Sequence, residues 1–181
     1  VSDRDVAVLL RAVNLAGRRL AMADFKAALA DLGFAGARTL GASGNAVISA
    51  KAADAALEAR IEAGLKARFG ATPDVLVRDA DQLGAVLAAN PFPKMAKEAP
   101  QHLLVMFLRG EAEASAVEGL RAKIAGPEEV EAGPGCLYAR YPDDIGHSKL
   151  TSAFIERSLK LRGTGRNWNT VVKLGAMLQS A

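Results

Sequence analysis

Apolar positions along this chain change their spacing several times, and each change predicts an element. VAVLL at 6–10 is an unbroken, β-branched run of strand length. After the NLAGRR turn, Met22, Phe25, Leu29 and Leu32 recur at helical spacing, and Gly33 supplies the stop that helices favour just past their ends. ARTLGASGNAVISA then predicts two short strands, near 37–41 and 45–50, around the Ser43-Gly44 pair, a hairpin signal. Leu57, Ile61, Leu65 and Phe69 return every four residues, with Asp54 placed to cap that helix and Gly70 to end it. DVLVR at 74–78 closes a strand-helix-strand-strand-helix-strand order, the split βαβ arrangement of ferredoxin-like folds.

The order then starts again. A short helix near 80–89 ends at Asn90-Pro91, and PFPKMAKEAP is a connector rich in breakers. HLLVMFLRG predicts a strand, EASAVEGLRAKIA a helix, and EEVEA and CLYARYP two strands around Gly133-Pro134-Gly135. SKLTSAFIERSLK predicts a helix with Ser148 as its N-cap and Leu150, Phe154 and Leu161 on one face. In place of a sixth strand the chain offers the RNWNT loop and a last helix, with Val171, Leu174 and Leu178 inward. No residue-level repeat links the halves, only a repeated order of elements. The reading is an α+β protein of two ferredoxin-like units, the second incomplete and followed by a C-terminal helix. Residues 1–90 form the first unit, 91–101 the connector and 102–181 the second.

Composition adds bounds rather than elements. With 181 residues, half of them apolar and a quarter charged, the chain has the make-up of a globular protein. LLVMFL at 103–108 is strand-length, far short of the roughly 20 residues that span a bilayer. VSDRDVAVLL lacks the pattern of a cleaved leader. The single cysteine, Cys136, has no partner for an internal disulfide, which points to the reducing cytoplasm. A net charge of +3 does not by itself argue for nucleic-acid binding. Its distribution says more: from residue 145 onward six basic residues stand against Glu156 alone, a local excess of +5. That excess reads either as a solvated helix face or as an anion-binding surface.

Three stretches together resemble one family. They are LLRAVNLAGRR at 9–19, ASGN at 42–45 before a strand, and SKLT…RNWNTVVKL at 148–174. They are similar to the uncharacterised bacterial family known as domain of unknown function 1697, whose usual pattern is LLRGINVGG, then QSGN, then SKL and RNWNT. The resemblance implies a two-part, ferredoxin-like α+β structure and no established activity, cofactor or substrate. Ala12 and Ala16 stand where the family usually has glycine, and Ala42 where it usually has glutamine. A Cβ at the first two positions disfavours positive φ in that turn.

Several chemistries find no support in the residue pattern. Two histidines and one cysteine do not supply a zinc site; a hard-cation site on carboxylates stays open, though Asp143-Asp144 shortly before Gly146 is more often a plain turn. There is no phosphate-binding loop of the G-x-x-x-x-G-K-[ST] kind, and GTGRNW lacks the spacing of a dinucleotide fingerprint. No metal or cofactor is asked for. A serine nucleophile needs a base within hydrogen-bond reach, which the sequence neighbours His147 and Ser148 do not provide. No residue stands out as catalytic.

The candidate ligand-binding residues are Arg11, Asn14, Ser43, Gly44, Asn45, Lys149, Arg166, Asn167 and Asn169. Arg11 ends a strand that should be central, where a charge must reach solvent, a carboxylate or an anion. Asn14 and Asn45 either order their own turns or face a ligand. In RNWNT, Asn169 or Thr170 would cap the last helix, Asn167 would order the loop and Trp168 would anchor in the core. Arg166 beside a helix N-terminus, with Lys149 near the preceding helix, has the make-up of an anion site. The leading expectation is therefore a protein binding a small phosphate-bearing ligand. Nucleic acid is a weaker expectation, because aromatic platforms are few. The alternatives are an enzyme using arginine and asparagine to stabilise developing charge, or an interaction module that associates through sheet edges, for instance as a homodimer.

Overall fold

The computed structural model describes residues 2–71 and 73–179. Their contacts group into two units, one reaching Leu83 and resuming at Leu174, the other running from Gly84 to Lys173. Among the described residues there are seven α-helices, and the sheets are antiparallel.

The first unit runs β1 (Arg4–Leu10), a small hairpin of β2 (Asn14–Leu15) and β3 (Arg18–Arg19), α1 (Met22–Asp31), β4 (Arg38–Leu40), β5 (Asn45–Ala50), α2 (Ala55–Phe69) and β6 (Val75–Asp79). Its main sheet has the order β4-β5-β1-β6. Val6 to Leu10 of β1 are all buried, which is why that strand reads as a continuous apolar run instead of an alternating one. Val6, Val8, Leu10, Ile48 and Val77 pack with Phe25 and Leu29 of α1 and with Leu57, Ile61 and Leu65 of α2. Asp54 caps α2 by accepting the Leu57 N–H at 2.9 Å, and Gly70 ends it with φ +73°. Two carboxylates on α2 finish the outer strand: Val75 N–H donates to Glu62 at 2.9 Å and Val77 N–H to Glu58 at 3.1 Å. Donors of an edge strand are thereby satisfied inside the unit.

After β6 comes α3 (Ala80–Ala88), then α4 (Pro93–Glu98) and a 3-10 turn (Pro100–His102) within the breaker-rich stretch. The second unit continues with β7 (Leu103–Leu108), α5 (Ala114–Lys123), β8 (Glu129–Gly133), β9 (Cys136–Arg140), α6 (Ser152–Leu159), β10 (Gly163–Asn167) and the start of α7 (Trp168–Gln179), which from Leu174 onward is grouped with the first unit. Its sheet has the order β10-β7-β9-β8, the same succession of elements as in the first unit. Met106, Leu108, Leu137 and Ala139 pack with Val117 and Leu120 of α5 and with Ile155 and Leu159 of α6.

Strand β10 corrects the expectation of an incomplete second unit. GTGRN pairs antiparallel with β7, Gly163 opposite Leu108 and Arg166 opposite Val105. Glycine and asparagine are poor strand formers, so the segment reads as a loop. The glycine is nevertheless required: a Cβ on Gly163 would lie 2.5 Å from the Phe107 carbonyl oxygen. A second correction concerns α6, whose cap is Thr151, accepting the Phe154 N–H at 3.1 Å, and not Ser148.

Candidate functional site

The expected residues of the first unit gather where β1 ends. Leu10 N–H donates to the Gly44 carbonyl and Arg11 N–H to the Asp74 carbonyl, each at 2.9 Å, so the β4–β5 turn and the start of β6 flank that point. Gly44 has φ +85°, and a Cβ there would lie 2.7 Å from the Leu10 Cβ. Conformation and space both demand glycine. Asn45 is 0% exposed, and its amide donates to the Leu40 carbonyl at 3.1 Å and the Ser43 hydroxyl at 2.9 Å. It staples the turn. Arg11 is paired with Asp74 at 3.7 Å, while Asn14 lies exposed on β2 opposite Arg19, whose guanidinium reaches the Ala42 carbonyl at 3.5 Å. The β2–β3 loop is Ala16-Gly17, with φ +51° and +82°. A two-residue hairpin loop of this hand favours glycine or asparagine, and Ala16 carries a Cβ into that left-handed region.

The second unit holds Arg166, Asn167, Asn169 and Lys149, and it separates them by role. Arg166 lies within β10, only 5% exposed, and donates to the Thr164 hydroxyl at 2.6 Å and the Gly165 carbonyl at 2.9 Å. Thr164 and Arg166 share one face of the strand because side chains alternate. Desolvation pulls the guanidinium down to about 10, which still leaves it charged at neutral pH. Asn167, not Asn169 or Thr170, caps α7: its Oδ1 accepts the Thr170 N–H at 3.0 Å. Trp168 is half-buried in the first turn, and Asn169 is exposed. Arg166 is thus a buried strand arginine two residues before the start of α7.

Lys149 belongs to a different place, a cavity of about 520 Å³ in the second unit. Its walls come from the end of α5 and the loop after it (Lys123, Ile124, Gly126, Glu128) and from the approach to α6 (His147, Ser148, Lys149, Leu150, Phe154). The Ser148 hydroxyl donates to Glu128 Oε1 at 2.6 Å and accepts the Leu150 N–H at 3.0 Å. Tyr141 fixes the same segment by donating its hydroxyl to the Leu150 carbonyl at 2.8 Å. Burial, then the nearby negative Glu128, push that phenol well above its ordinary value, so it remains a donor. His147 bonds Asp144, which also accepts the Gly146 N–H at 2.9 Å; the two bonds hold the Asp144 carboxyl below its usual range. The cavity is therefore lined by two lysines, a hydroxyl–carboxylate pair and apolar side chains on a tied-down loop, while the His147 side chain, bonded to Asp144, is 93% exposed.

The sequence reading did not include Lys123, Glu128 or the Ser148–Glu128 bond. Glu128 follows Gly126-Pro127, which reads only as a turn, and its partner lies twenty residues on in an irregular segment. No spacing rule connects them.

These features define a mixed α+β protein built of two antiparallel four-stranded sheets with helices, the second carrying a cationic cavity. The chain belongs to the family described as protein of unknown function (DUF1697), whose model matches residues 4–138. That match ends within β9, ahead of the stretches at 148–174. The solved structure of the conserved bacterial protein SP0830 from Streptococcus pneumoniae is similar, with a TM-score of 0.74 and 18% sequence identity. The likeness covers 98% of this chain and 100% of that one, and at such identity it is a likeness of fold. A search of curated proteins found no match. Among the described residues no helix is long and apolar enough to cross a membrane.

Proposed function

We propose that the chain is a binding protein for a small anionic ligand, and that its site is the cavity of the second unit. The observation that carries this reading is the placing of Lys123 and Lys149 around one space of about 520 Å³. That size falls within the roughly 300–1,000 Å³ of small-molecule sites. Ile124, Leu150 and Phe154 add apolar surface, so the ligand that fits best joins a phosphate or carboxylate to an apolar body. Nucleic acid is disfavoured, because a recessed space suits a compact ligand better than a strand.

Each unit has the strand order and the two helices of a ferredoxin-like split βαβ fold, which is the architecture we infer for both. Burial of Cys136 is in keeping with a reducing, cytoplasmic setting. Calorimetric titration with phenyl phosphate tests the binding reading. Saturable binding that the double substitution Lys123→Ala, Lys149→Ala weakens about tenfold or more is expected, each lost charge-assisted bond contributing about 1.5–3 kcal/mol before screening. No saturable binding up to millimolar ligand, or binding indifferent to both lysines, would overturn it.

A further inference from the structure

We propose that Ser148 is a nucleophile and Glu128 its general base, making this cavity an acyl-transfer site for carboxylic esters that carry an anionic group. The inference rests on the binding reading above, since Lys123 and Lys149 would hold that anionic group. A serine hydroxyl needs a base within about 2.6–3.2 Å, and Glu128 Oε1 stands 2.6 Å from Ser148 Oγ. The helix-capping role that would otherwise account for Ser148 belongs to Thr151. Both residues line the cavity. Oγ directs its proton to Glu128 and takes the Leu150 N–H on one lone pair, which leaves a lone pair for attack. The bond between Tyr141 and the Leu150 carbonyl holds that orientation before substrate arrives.

The step balances with water as co-substrate. Ser148 Oγ forms a bond to the ester carbonyl carbon while its proton passes to the Glu128 carboxylate. The carbonyl oxygen gathers the negative charge as the carbon–oxygen double bond opens, while Lys123 and Lys149 hold the substrate's separate anionic group. The carbon–oxygen bond to the alcohol breaks, and Glu128 returns the proton to the departing alkoxide, leaving an acyl-serine. Water then attacks the acyl carbon, its proton going to Glu128 and on to Ser148 Oγ, which releases the acid.

A short-chain alkyl fluorophosphonate reports on the nucleophile directly, because attack displaces fluoride and leaves a stable adduct. Intact-mass analysis of the full chain should show one adduct, peptide mapping should place it on Ser148, and phenyl phosphate should protect against it. Glu128→Gln should slow labelling by about 100-fold or more, the low end of what a general base contributes. No adduct, an adduct on another residue, or an unchanged rate in Glu128→Gln would overturn the proposal. If Glu128→Gln does not fold, wild-type mapping and protection decide alone. Phenyl phosphate binding that persists without labelling would remove the nucleophile and leave the binding site standing; loss of both would remove both.

Discussion

The junction from β6 into α3 and the junction from β10 into α7 are the same device built from different residues. In VRDADQ at 77–82, Arg78 donates to the Val77 carbonyl at 2.8 Å and Asp79 Oδ1 accepts the Gln82 N–H at 2.9 Å. In GRNWNT at 165–170, Arg166 donates to the Gly165 carbonyl at 2.9 Å and Asn167 Oδ1 accepts the Thr170 N–H at 3.0 Å. The likeness extends to the first strands: Leu10 N–H meets the Gly44 carbonyl and Leu108 N–H the Gly135 carbonyl, each at 2.9 Å, with both glycines at positive φ. A residue-level repeat thus exists after all, hidden because its members share backbone roles more than side chains. RDADQ attracts no attention as a ligand site, and its twin shows that RNWNT needs none to account for its arginine and its cap.

The difference is equally instructive. Where β6 carries Val75, Leu76 and Val77, β10 carries Gly163, Thr164 and Gly165, and only the second arginine has a hydroxyl partner two residues back. Gly163 is the most demanding of these positions. Gly163→Ala should destabilise by about 1–3 kcal/mol in denaturant unfolding, as overpacking against fixed backbone does. A neutral result would mean that β10 is looser than its twin. Arg166→Ala should cost about 1–3 kcal/mol by leaving the Thr164 hydroxyl without that donor, and Arg166→Met should cost less because a buried charge is removed with its volume kept. Arg78→Ala, at a more exposed strand position, should cost less than Arg166→Ala. The opposite order would break the assignment of Arg166 to structure.

Caps give a finer comparison. Asp79→Ala and Asn167→Ala should each cost about 1 kcal/mol, agreeing within about half that amount. A much larger loss at Asn167 would show that it does more than cap α7. The smallest expected effect lies in the β2–β3 hairpin, which stands in the first unit at the corner where β1 ends. Ala16→Gly should stabilise by up to about 1 kcal/mol, since it relieves a Cβ at φ +51°. A loss of stability there would contradict the strain.

Much of the fold was legible because burial left a period behind. β1 and α2 could be read from Val6–Leu10 and from the fourfold spacing of Leu57 to Phe69, with Asp54 and Gly70 marking the helix ends. β10 could not, because its glycines are chosen by close approach to β7, a contact no local pattern encodes. Of the candidate residues, Asn45 and Gly44 were chosen as polar or flexible turn residues and prove to be fastened within the turn. Lys149 alone of the nine lines the cavity described in the second unit. Glu128 escaped notice because the serine it binds is distant in sequence, and Ser148 was read as the cap of α6, a role that Thr151, three residues on, holds.

The account's central claim is that the ligand site lies in the cavity of the second unit, while the SGN and RNWNT stretches hold backbone together. Backbone amide NMR of the full chain, titrated with phenyl phosphate, tests it most directly. The account predicts shifts concentrated at residues 123–128 and 147–150, with the amides of 11–14, 43–45 and 166–169 nearly unmoved. Shifts centred on Arg11, Asn45 and Arg166, with the cavity residues silent, would contradict it.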